Sequence, residues 1–307
     1  MDISELVDKI WFWVMDFDNT LARTFDPSPK QIDVHSGYNL AIKFLFGKAT
    51  LGEDPLAQIG GLQNRAPSEV IDALFKLMPD LKGQSKDVFD RFKDILNAYV
   101  PAGKGTPLIW DETQPNWDPL RLISELLVRA KLLFLINEIG PAWPLPCNGF
   151  KEFLQDFPKL KERSKRILQL AILSSGHDEF IKKAFLIWGL PCPELMITDD
   201  DLRVLHFPNE PKKTVKPSSY LLDLVHLQWL MQQGLKPETI NLNQFLAMAR
   251  KQTIYFGDDP IKDGQLAQNA GIPFGWFNPN GKSAQNLGEY DFIFGDWRQV
   301  PGILGLA

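Results

Sequence analysis

Cysteine and histidine are both scarce in this chain of 307 residues. There are two cysteines, Cys147 and Cys192, and four histidines. Neither cysteine lies in a CxxC or histidine-rich pattern, which argues against a disulfide framework and against a zinc site. A protein without disulfides suits a reducing compartment, so we expect a cytoplasmic location.

A basic tract is missing as well. Lysine and arginine together number 33 against 38 aspartates and glutamates, which gives a formal net charge of -5. Proteins that bind nucleic acids normally carry a strongly basic surface. We therefore expect no nucleic-acid partner.

Long uncharged apolar runs are also absent. The apolar stretch over residues 119–140 reads PLRLISELLVRAKLLFLINEIG and contains five charged residues, namely Arg121, Glu125, Arg129, Lys131 and Glu138. Charges are costly inside a bilayer, so this stretch predicts a buried helix and not a membrane span. The apolar run over residues 10–15 is too short for a signal peptide. We expect no membrane association.

Short apolar runs are abundant, and helical patterns alternate with them. They predict strands over residues 11–15, 168–173, 195–198, 253–256 and 273–277, with a further one over 290–294. Continuous runs of this kind are typical of parallel strands covered on both faces. The alternation predicts an α/β fold, built as a doubly wound parallel sheet.

A long segment separates the first two predicted strands. It spans about 150 residues, far more than one crossover connection requires, and it shows helical patterns and no clear strand. Proline-rich stretches at 26–29 and 141–149 bracket it. We therefore predict an inserted all-helical domain over 26–143 and an α/β core domain formed by 1–25 and 144–307.

Two aspartates end the first predicted strand. Asp16 and Asp18 are spaced by one residue, so in extended geometry their side chains point to the same side. Ligands of open α/β sheets bind beyond the carboxyl ends of the strands, where this pair lies. The alternative is an ordinary turn, in which aspartate and asparagine are common.

The strand predicted at 253–256 also ends in acids, and these are Asp258, Asp259 and Asp263. A capped turn is again the alternative. Two carboxylates about 4 Å apart repel by about 1 kcal/mol in water and by about 4 kcal/mol at an effective dielectric near 20. A cluster of carboxylates therefore requires a cation, and oxygen ligands suit Mg2+.

Two segments are candidates for binding an anion. Ser174, Ser175 and Gly176 follow the second predicted strand and precede a helix, where hydroxyl and backbone N–H groups hold anions. A plain serine cap is the alternative reading. Lys216 also precedes a helix, and its ammonium can act as a point charge on phosphate, although most lysines are only solvated.

Taken in this order, the four segments resemble the motifs of the haloacid dehalogenase superfamily. DFDNTL at residues 16–21 resembles the first motif, Ser174 the second, Lys216 the third, and GDDPIKD at residues 257–263 the fourth. The resemblance implies a Rossmann-like core of that superfamily. An ordered set of short motifs is more specific than any single one of them.

The resemblance extends to the helical-cap group, which includes phosphoglycolate phosphatase-like enzymes. It is carried by GGLQNRAPSEVI at residues 60–71 and by PLPCNGFKEFL at residues 144–154. The insertion is longer than the usual cap, and residues 226–250 form an extra stretch between the third and fourth motifs. The cap normally selects the substrate, so both departures leave the substrate open.

The resemblance implies a Mg2+-dependent phosphatase that acts on a small phosphorylated metabolite. Asp16 would be the nucleophile and carry an aspartyl-phosphate, and Asp18 would be the general acid and base. The implied metal ligands are Asp16, the backbone carbonyl of Asp18 and Asp258. Asp263 would support them, either as a further ligand or as a hydrogen-bond partner of the ligands. Phosphoglycolate, a nucleoside monophosphate and a sugar phosphate are all compatible substrates.

The resemblance also implies binding roles. Ser174, the Ser175 backbone and Lys216 would bind the phosphoryl oxygens. Asn64 or Arg65 in the inserted domain would contact the leaving group of the substrate; the alternative is that they are ordinary surface residues of that domain. That domain would close over the site as a lid. The resemblance assigns no role to Asp259, and it does not make His177 a catalytic residue. The oligomeric state stays open.

Several rival functions share this fold. A phosphomutase of the β-phosphoglucomutase type keeps both Asp16 and Asp18. A 2-haloacid dehalogenase has no use for Asp18, and a phosphonate hydrolase needs a lysine from the cap. A catalytically idle scaffold that serves as a binding module is the alternative from another class.

Overall fold

The predicted apolar runs form six strands in a computed structural model, which describes residues 7–24, 34–62, 66–100, 104, 107–138, 144–203, 205, 213–283, 288 and 291–306. The strands are β1 Ile10–Met15, β2 Ile167–Leu173, β3 Leu195–Ile197, β4 Thr253–Gly257, β5 Phe274–Phe277 and β6 Phe292–Phe294. They pair in the order β3-β2-β1-β4-β5-β6, and every pairing is parallel. This order is that of a doubly wound α/β sheet, so the predicted fold class is confirmed.

The chain divides into two compact units. The first consists of Met1–Thr24 and Pro144–Ala307, and the second is Phe25–Trp143. All six strands belong to the first unit. That the second unit serves as a cap stays a prediction.

Helices flank the sheet in the first unit. They are Phe150–Arg163, Asp178–Trp188, Asp199–Leu202, Tyr220–Gln232, Leu242–Lys251, Asp263–Ala270 and Val300–Ile303, with 3-10 turns at Pro237–Thr239 and Trp297–Gln299. The stretch over residues 226–250 therefore consists mainly of two core helices. Its Phe245 ring stacks on Trp229 at a centroid distance of 6.2 Å, which ties both helices to the core.

Strand β1 is buried on both faces, as the continuous apolar run predicts. On one face Phe12 meets Trp229 at a ring-centroid distance of 5.4 Å. On the other face Trp13 lies 6.0 Å from Phe153 and 5.6 Å from Phe256. Because a strand alternates its side chains between faces, these contacts show that both layers of the core meet at β1.

In the part that the structure describes, the regular secondary structure of the second unit is all helical, with loops such as residues 107–118 between the helices. Its helices are Val34–Phe46, Lys48–Leu51, Pro55–Gln58, Pro67–Leu77, Pro79–Gly83, Ser85–Asn97 and Pro119–Glu138. Val70, Ile71 and Leu74 are buried as one face of their helix, and they share a separate hydrophobic core with Leu126 and Leu127. Among the described residues, no helix combines the length and the apolar character that crossing a membrane requires.

A buried histidine makes the stability of the first unit depend on pH. The Nε2 atom of His226 lies 2.8 Å from Thr253 Oγ1, and that hydroxyl donates to the Ala249 carbonyl. Nε2 therefore carries the hydrogen, and Nδ1 has no hydrogen-bond partner among the described residues. Burial, together with the nearby Arg250, lowers the pKa of His226 to about 3 from an ordinary value of 6.5. His226 is neutral in the folded protein.

We expect this histidine to destabilise the fold in acid. Below pH 6.5 the unfolded chain takes up a proton that the folded chain does not, so stability declines as the pH falls towards 3. His226 should contribute a slope of about 1.4 kcal/mol per pH unit, which His226→Leu should remove. Urea unfolding of both proteins between pH 7 and pH 4 tests this, and parallel stability curves would contradict it.

Candidate active site

Three neighbouring strands deliver the predicted site residues to one edge of the sheet. Asp16 directly follows β1, Ser174 follows β2, and Asp258 follows β4. These strands are adjacent in the order β2-β1-β4, and they run parallel. Their carboxyl ends therefore meet at the centre of the sheet, which is the edge where ligands of such folds bind.

Lys216 joins the first and fourth predicted segments. Its Nζ atom lies 2.5 Å from Asp16 Oδ1 and 2.8 Å from Asp263 Oδ1, and all three side chains are at most 10% exposed. The Tyr255 hydroxyl adds a contact of 3.2 Å to Asp263 Oδ1. Burial favours a neutral lysine, but Asp16 and Asp263 outweigh that effect and hold the pKa of Lys216 above its usual range. The lysine is therefore a charged partner of both carboxylates.

A group of three carboxylates can hold a metal ion. Asp16, Asp258 and Asp263 each offer a carboxylate oxygen, and these oxygens lie within 4.8 Å of one another. Burial, followed by the charge of Asp263, raises the pKa of Asp258 to about 7. Burial also raises the pKa of Asp16, and Lys216 offsets part of that effect. One ammonium does not neutralise three acids, so this all-oxygen set fits a divalent cation.

Asp18 and Ser174 face the same loop. A methyl group at Gly176 would lie 3.2 Å from Ser174 Oγ and 3.5 Å from Asp18 Oδ2. The Gly176 amide donates to Ser174 Oγ at 2.9 Å, so the serine hydroxyl keeps its own hydrogen for another acceptor. Ser175 is exposed at this loop. The structure thus places Asp18 beside the predicted phosphate-binding segment.

A tight loop carries Asp18 away from β1. Asn19 takes a left-handed conformation with φ at 54°, and its amide donates to the Ala22 carbonyl at 2.7 Å. Residues distant in the chain hold the loop in place. Trp297 Nε1 donates to the Thr20 carbonyl at 2.9 Å, and the Cys147 amide donates to the Leu21 carbonyl at 2.8 Å. Nothing in the sequence indicates these contacts.

Asp259 has a local role. Its Oδ1 accepts the amides of Ile261 and Lys262 at 2.8 and 3.1 Å, which closes a turn. The turn directly precedes the helix Asp263–Ala270. The contact predicted for Asn64 and Arg65 stays a prediction, since both lie outside the described residues.

Gly257 leaves room for the carboxylate of Asp263. A methyl group at Gly257 would lie 2.3 Å from Asp263 Oδ2 and 2.5 Å from Asp263 Cβ, which is closer than nonbonded atoms approach. Glycine is therefore required by space and not by backbone conformation. Because Gly257 has no side chain, Asp263 can occupy the position in which it pairs with Lys216.

We expect Gly257→Ala to destabilise the protein by about 1–3 kcal/mol, the usual cost of overpacking a core. If Asp16, Asp258 and Asp263 together hold a divalent cation, the displacement of Asp263 should also weaken the binding of that cation. Gly264→Ala is the matched control, because its methyl group would meet the Phe274 ring at 3.3 Å and Pro260 Cβ at 4.0 Å, and no carboxylate. Thermal unfolding with and without Mg2+ tests both variants, and equal behaviour would contradict the prediction.

Comparisons with known proteins give structural matches only. No protein-family model matches the sequence, and no curated protein matches it significantly. The HAD-hydrolase YfnB from Bacillus subtilis, solved with magnesium, is 18% identical, with 96% of this chain and 98% of that chain covered and a TM-score of 0.44. CbbY from Rhodobacter sphaeroides, solved with phosphate, is 14% identical, with 97% and 99% covered and a TM-score of 0.48.

A 2-haloacid dehalogenase from Pseudomonas syringae matches in the same way. It is 17% identical, with 96% of this chain and 98% of that chain covered and a TM-score of 0.43. At such identities and TM-scores, the likeness establishes neither the family nor the activity of this chain.

Proposed function

We propose that this chain is a hydrolase of the haloacid dehalogenase superfamily that removes phosphate from a small phosphomonoester with the help of Mg2+. The observation that supports this most strongly is the position of Lys216, which lies between Asp16 and Asp263 with Asp258 alongside. Three of the four motif segments identified in the sequence thus meet at one point, and the side chains of Asp18 and Ser174, from the first and second segments, both lie beside Gly176.

Asp16 is the proposed nucleophile. One of its carboxylate oxygens attacks the phosphorus, and the bond from phosphorus to the leaving oxygen breaks. Lys216 supports this step because its ammonium favours the ionised carboxylate and also offsets the charge of the transferring group. The product of the step is an aspartyl-phosphate on Asp16.

Asp18 is the proposed general acid and base. It carries a proton at the start and donates it to the leaving oxygen. The resulting carboxylate then accepts a proton from the water that attacks the phosphorus of the aspartyl-phosphate, which regenerates Asp16. The proton balance is restored after one cycle.

The phosphoryl oxygens are proposed to bind Ser174, the Ser175 backbone and Lys216. The hydroxyl of Ser174 is suited to donate, since the Gly176 amide already occupies it as an acceptor. Mg2+, held by Asp16, Asp258, Asp263 and the backbone carbonyl of Asp18, would supply the positive charge that these acids and the phosphoryl group require. The partner is a small phosphorylated metabolite.

A cytoplasmic location is part of this proposal. The observation that supports it is that Cys147 and Cys192 form no disulfide. A reducing compartment suits such thiols.

A phosphate-release screen tests the proposed activity. The panel contains phosphoglycolate, nucleoside monophosphates and sugar phosphates, with Mg2+ present and with Asp16→Asn as the control. We expect at least one class to be hydrolysed by the wild type and none by the variant. No release from any ester by the folded protein would favour the idle scaffold.

Two additions to the panel separate the rival enzymes. Halide release from a 2-haloacid without metal would favour a dehalogenase. Conversion of a sugar phosphate to its isomer, without phosphate release and only with a bisphosphate primer, would favour a phosphomutase.

A further inference from the structure

The predicted phosphate-binding loop is fastened to the segment that follows β3. We call residues 174–178 the phosphate loop. At its start the Ser174 amide donates to the Ile197 carbonyl at 3.0 Å, and at its centre the Gly176 carbonyl accepts the Asp199 amide at 3.0 Å. The loop therefore depends on its neighbour for its shape.

In that neighbouring segment, the side chain of Asp200 contacts two residues of the phosphate loop. Its Oδ2 accepts the backbone amide of Asp178 at 2.9 Å, and its Oδ1 lies 3.2 Å from His177 Nδ1. The guanidinium of Arg203 also donates to Oδ1. Asp200 is 2% exposed, so these contacts are made away from solvent.

The contact with Asp178 completes a helix start. The helix Asp178–Trp188 begins at Asp178. His177 precedes it, and the His177 side chain makes no capping hydrogen bond. The first amides of a helix have no partner within it, and a carboxylate that accepts one of them stabilises the helix. Asp200 supplies this carboxylate from another element of the fold.

Charges around Asp200 make its buried carboxylate tolerable. Burial opposes ionisation, but the hydrogen bond and charge of His177, with the charge of Arg203, hold the pKa of Asp200 below its usual range. Arg203 Nε also pairs with Asp199 Oδ2 at 2.8 Å, and Lys182 Nζ lies 3.4 Å from Asp178 Oδ2. The cations offset the repulsion that these acids would exert on a bound phosphate.

We propose that Asp200 is a positioning residue for phosphate binding, because it fixes the phosphate loop through the amide of Asp178 and the ring of His177. In this arrangement the hydroxyl of Ser174 and the loop backbone are held ready for the phosphoryl oxygens. The inference rests on the proposed function. It concerns how the site binds its anion, and Asp200 itself does not touch the substrate.

The test is Asp200→Asn in the full-length protein with Mg2+. Asparagine keeps the shape but replaces one acceptor oxygen by an amide group that faces donors. We expect the inhibition constant of inorganic phosphate and the KM for an aryl phosphate to rise together by about tenfold, the effect of losing one hydrogen bond to a charged group. The kcat should change by less than about threefold, because Asp16 and Asp18 are untouched.

Asp201→Asn is the matched control. Asp201 lies on the same short helix, and its carboxylate accepts the Thr198 amide at 2.9 Å and lies 3.4 Å from the Thr198 hydroxyl. That hydroxyl is closer to Asp178 Oδ1, to which it donates at 2.7 Å, and Asp201→Asn leaves this bond in place. We expect it to leave the phosphate inhibition constant unchanged. Amide exchange at Asp178 should accelerate in Asp200→Asn and not in this control.

A second variant keeps the proposal testable if Asp200→Asn does not fold. Arg203 is 19% exposed at its side chain, so Arg203→Gln should fold, and it removes one cation beside Asp200. We expect a rise of about threefold in the phosphate inhibition constant. A value equal to that of the wild type in a folded Asp200→Asn, or in Arg203→Gln where Asp200→Asn does not fold, would overturn the inference.

The outcomes also separate this inference from the proposed function. A wild-type protein that neither binds inorganic phosphate nor releases it from esters would overturn both. A wild type that does so, alongside variants that bind phosphate equally well, would overturn only the role of Asp200.

Discussion

Asp16→Asn should lower phosphate release by about four orders of magnitude or more, the usual scale for removing a nucleophile. An amide is too weak a nucleophile to form the covalent intermediate. The measurement is the turnover rate with the substrate class found in the screen. Retention of near-wild-type rates in this variant would contradict the proposed mechanism.

The same variant should keep its fold. Asparagine has the shape of aspartate, and Lys216 retains its partner Asp263 at 2.8 Å. The loss of a buried carboxylate also relieves the repulsion among the acids. Thermal unfolding should therefore show a cooperative transition close to that of the wild type.

Asp259→Asn is the matched control for charge. Asp259 lies directly after Asp258 in the chain, and its Oδ1 closes a local turn that asparagine can also close. We expect this variant to keep its activity within a few-fold of the wild type. If Asp259→Asn lost as much activity as Asp16→Asn, turnover would depend on the total negative charge near the site and not on the carboxylate of Asp16 in particular.

Removal of divalent metal is the second change with a large expected effect. EDTA should stop phosphate release, and added Mg2+ should restore it. The reason is the crowding of Asp16, Asp258 and Asp263, whose oxygens lie within 4.8 Å of one another. Phosphate release that continues unchanged in EDTA would contradict a metal-assisted reaction.

A binding measurement makes the metal prediction independent of turnover. Mg2+ should raise the melting temperature of the wild type, because a ligand that binds only the folded state stabilises it. Asp258→Asn should reduce that shift, since it removes one of the three carboxylates. Equal shifts in both proteins would place the ion elsewhere.

The sequence predicts the sheet and the arrangement of the acids well. Apolar runs of four to six residues mark β1, β2 and β4, and residues with reactive side chains directly follow each of these strands. Since parallel strands place their carboxyl ends at one edge, the meeting of Asp16 with Asp258 follows from the pattern alone. The distance of 2.5 Å between Lys216 and Asp16 does not, because 200 residues separate them.

Other parts of the site have no local signal. The Trp297 indole donates a hydrogen bond to the Thr20 carbonyl, although 277 positions of the chain separate the two residues. No rule of sequence spacing predicts such a contact. Asp200 resembles its neighbours Asp199 and Asp201 in the sequence, so only the structure shows that the Asp200 carboxylate is the one that accepts the Asp178 amide. Asp259 is ambiguous for a related reason, since a turn and a metal site both favour aspartate.

The most direct test of the central claim is to trap the covalent intermediate. Asp18→Asn should slow hydrolysis of the aspartyl-phosphate. With an aryl phosphate, whose leaving group departs without a proton from Asp18, the first step should continue, so the variant, mixed with that substrate and Mg2+ and quenched in acid, should accumulate the intermediate. Mass spectrometry of proteolytic fragments should then find one phosphoryl group on the peptide that contains Asp16, and none after EDTA. Turnover by the wild type with no phosphoryl group on Asp16 in the trapped variant, or with that group on another residue, would contradict the account.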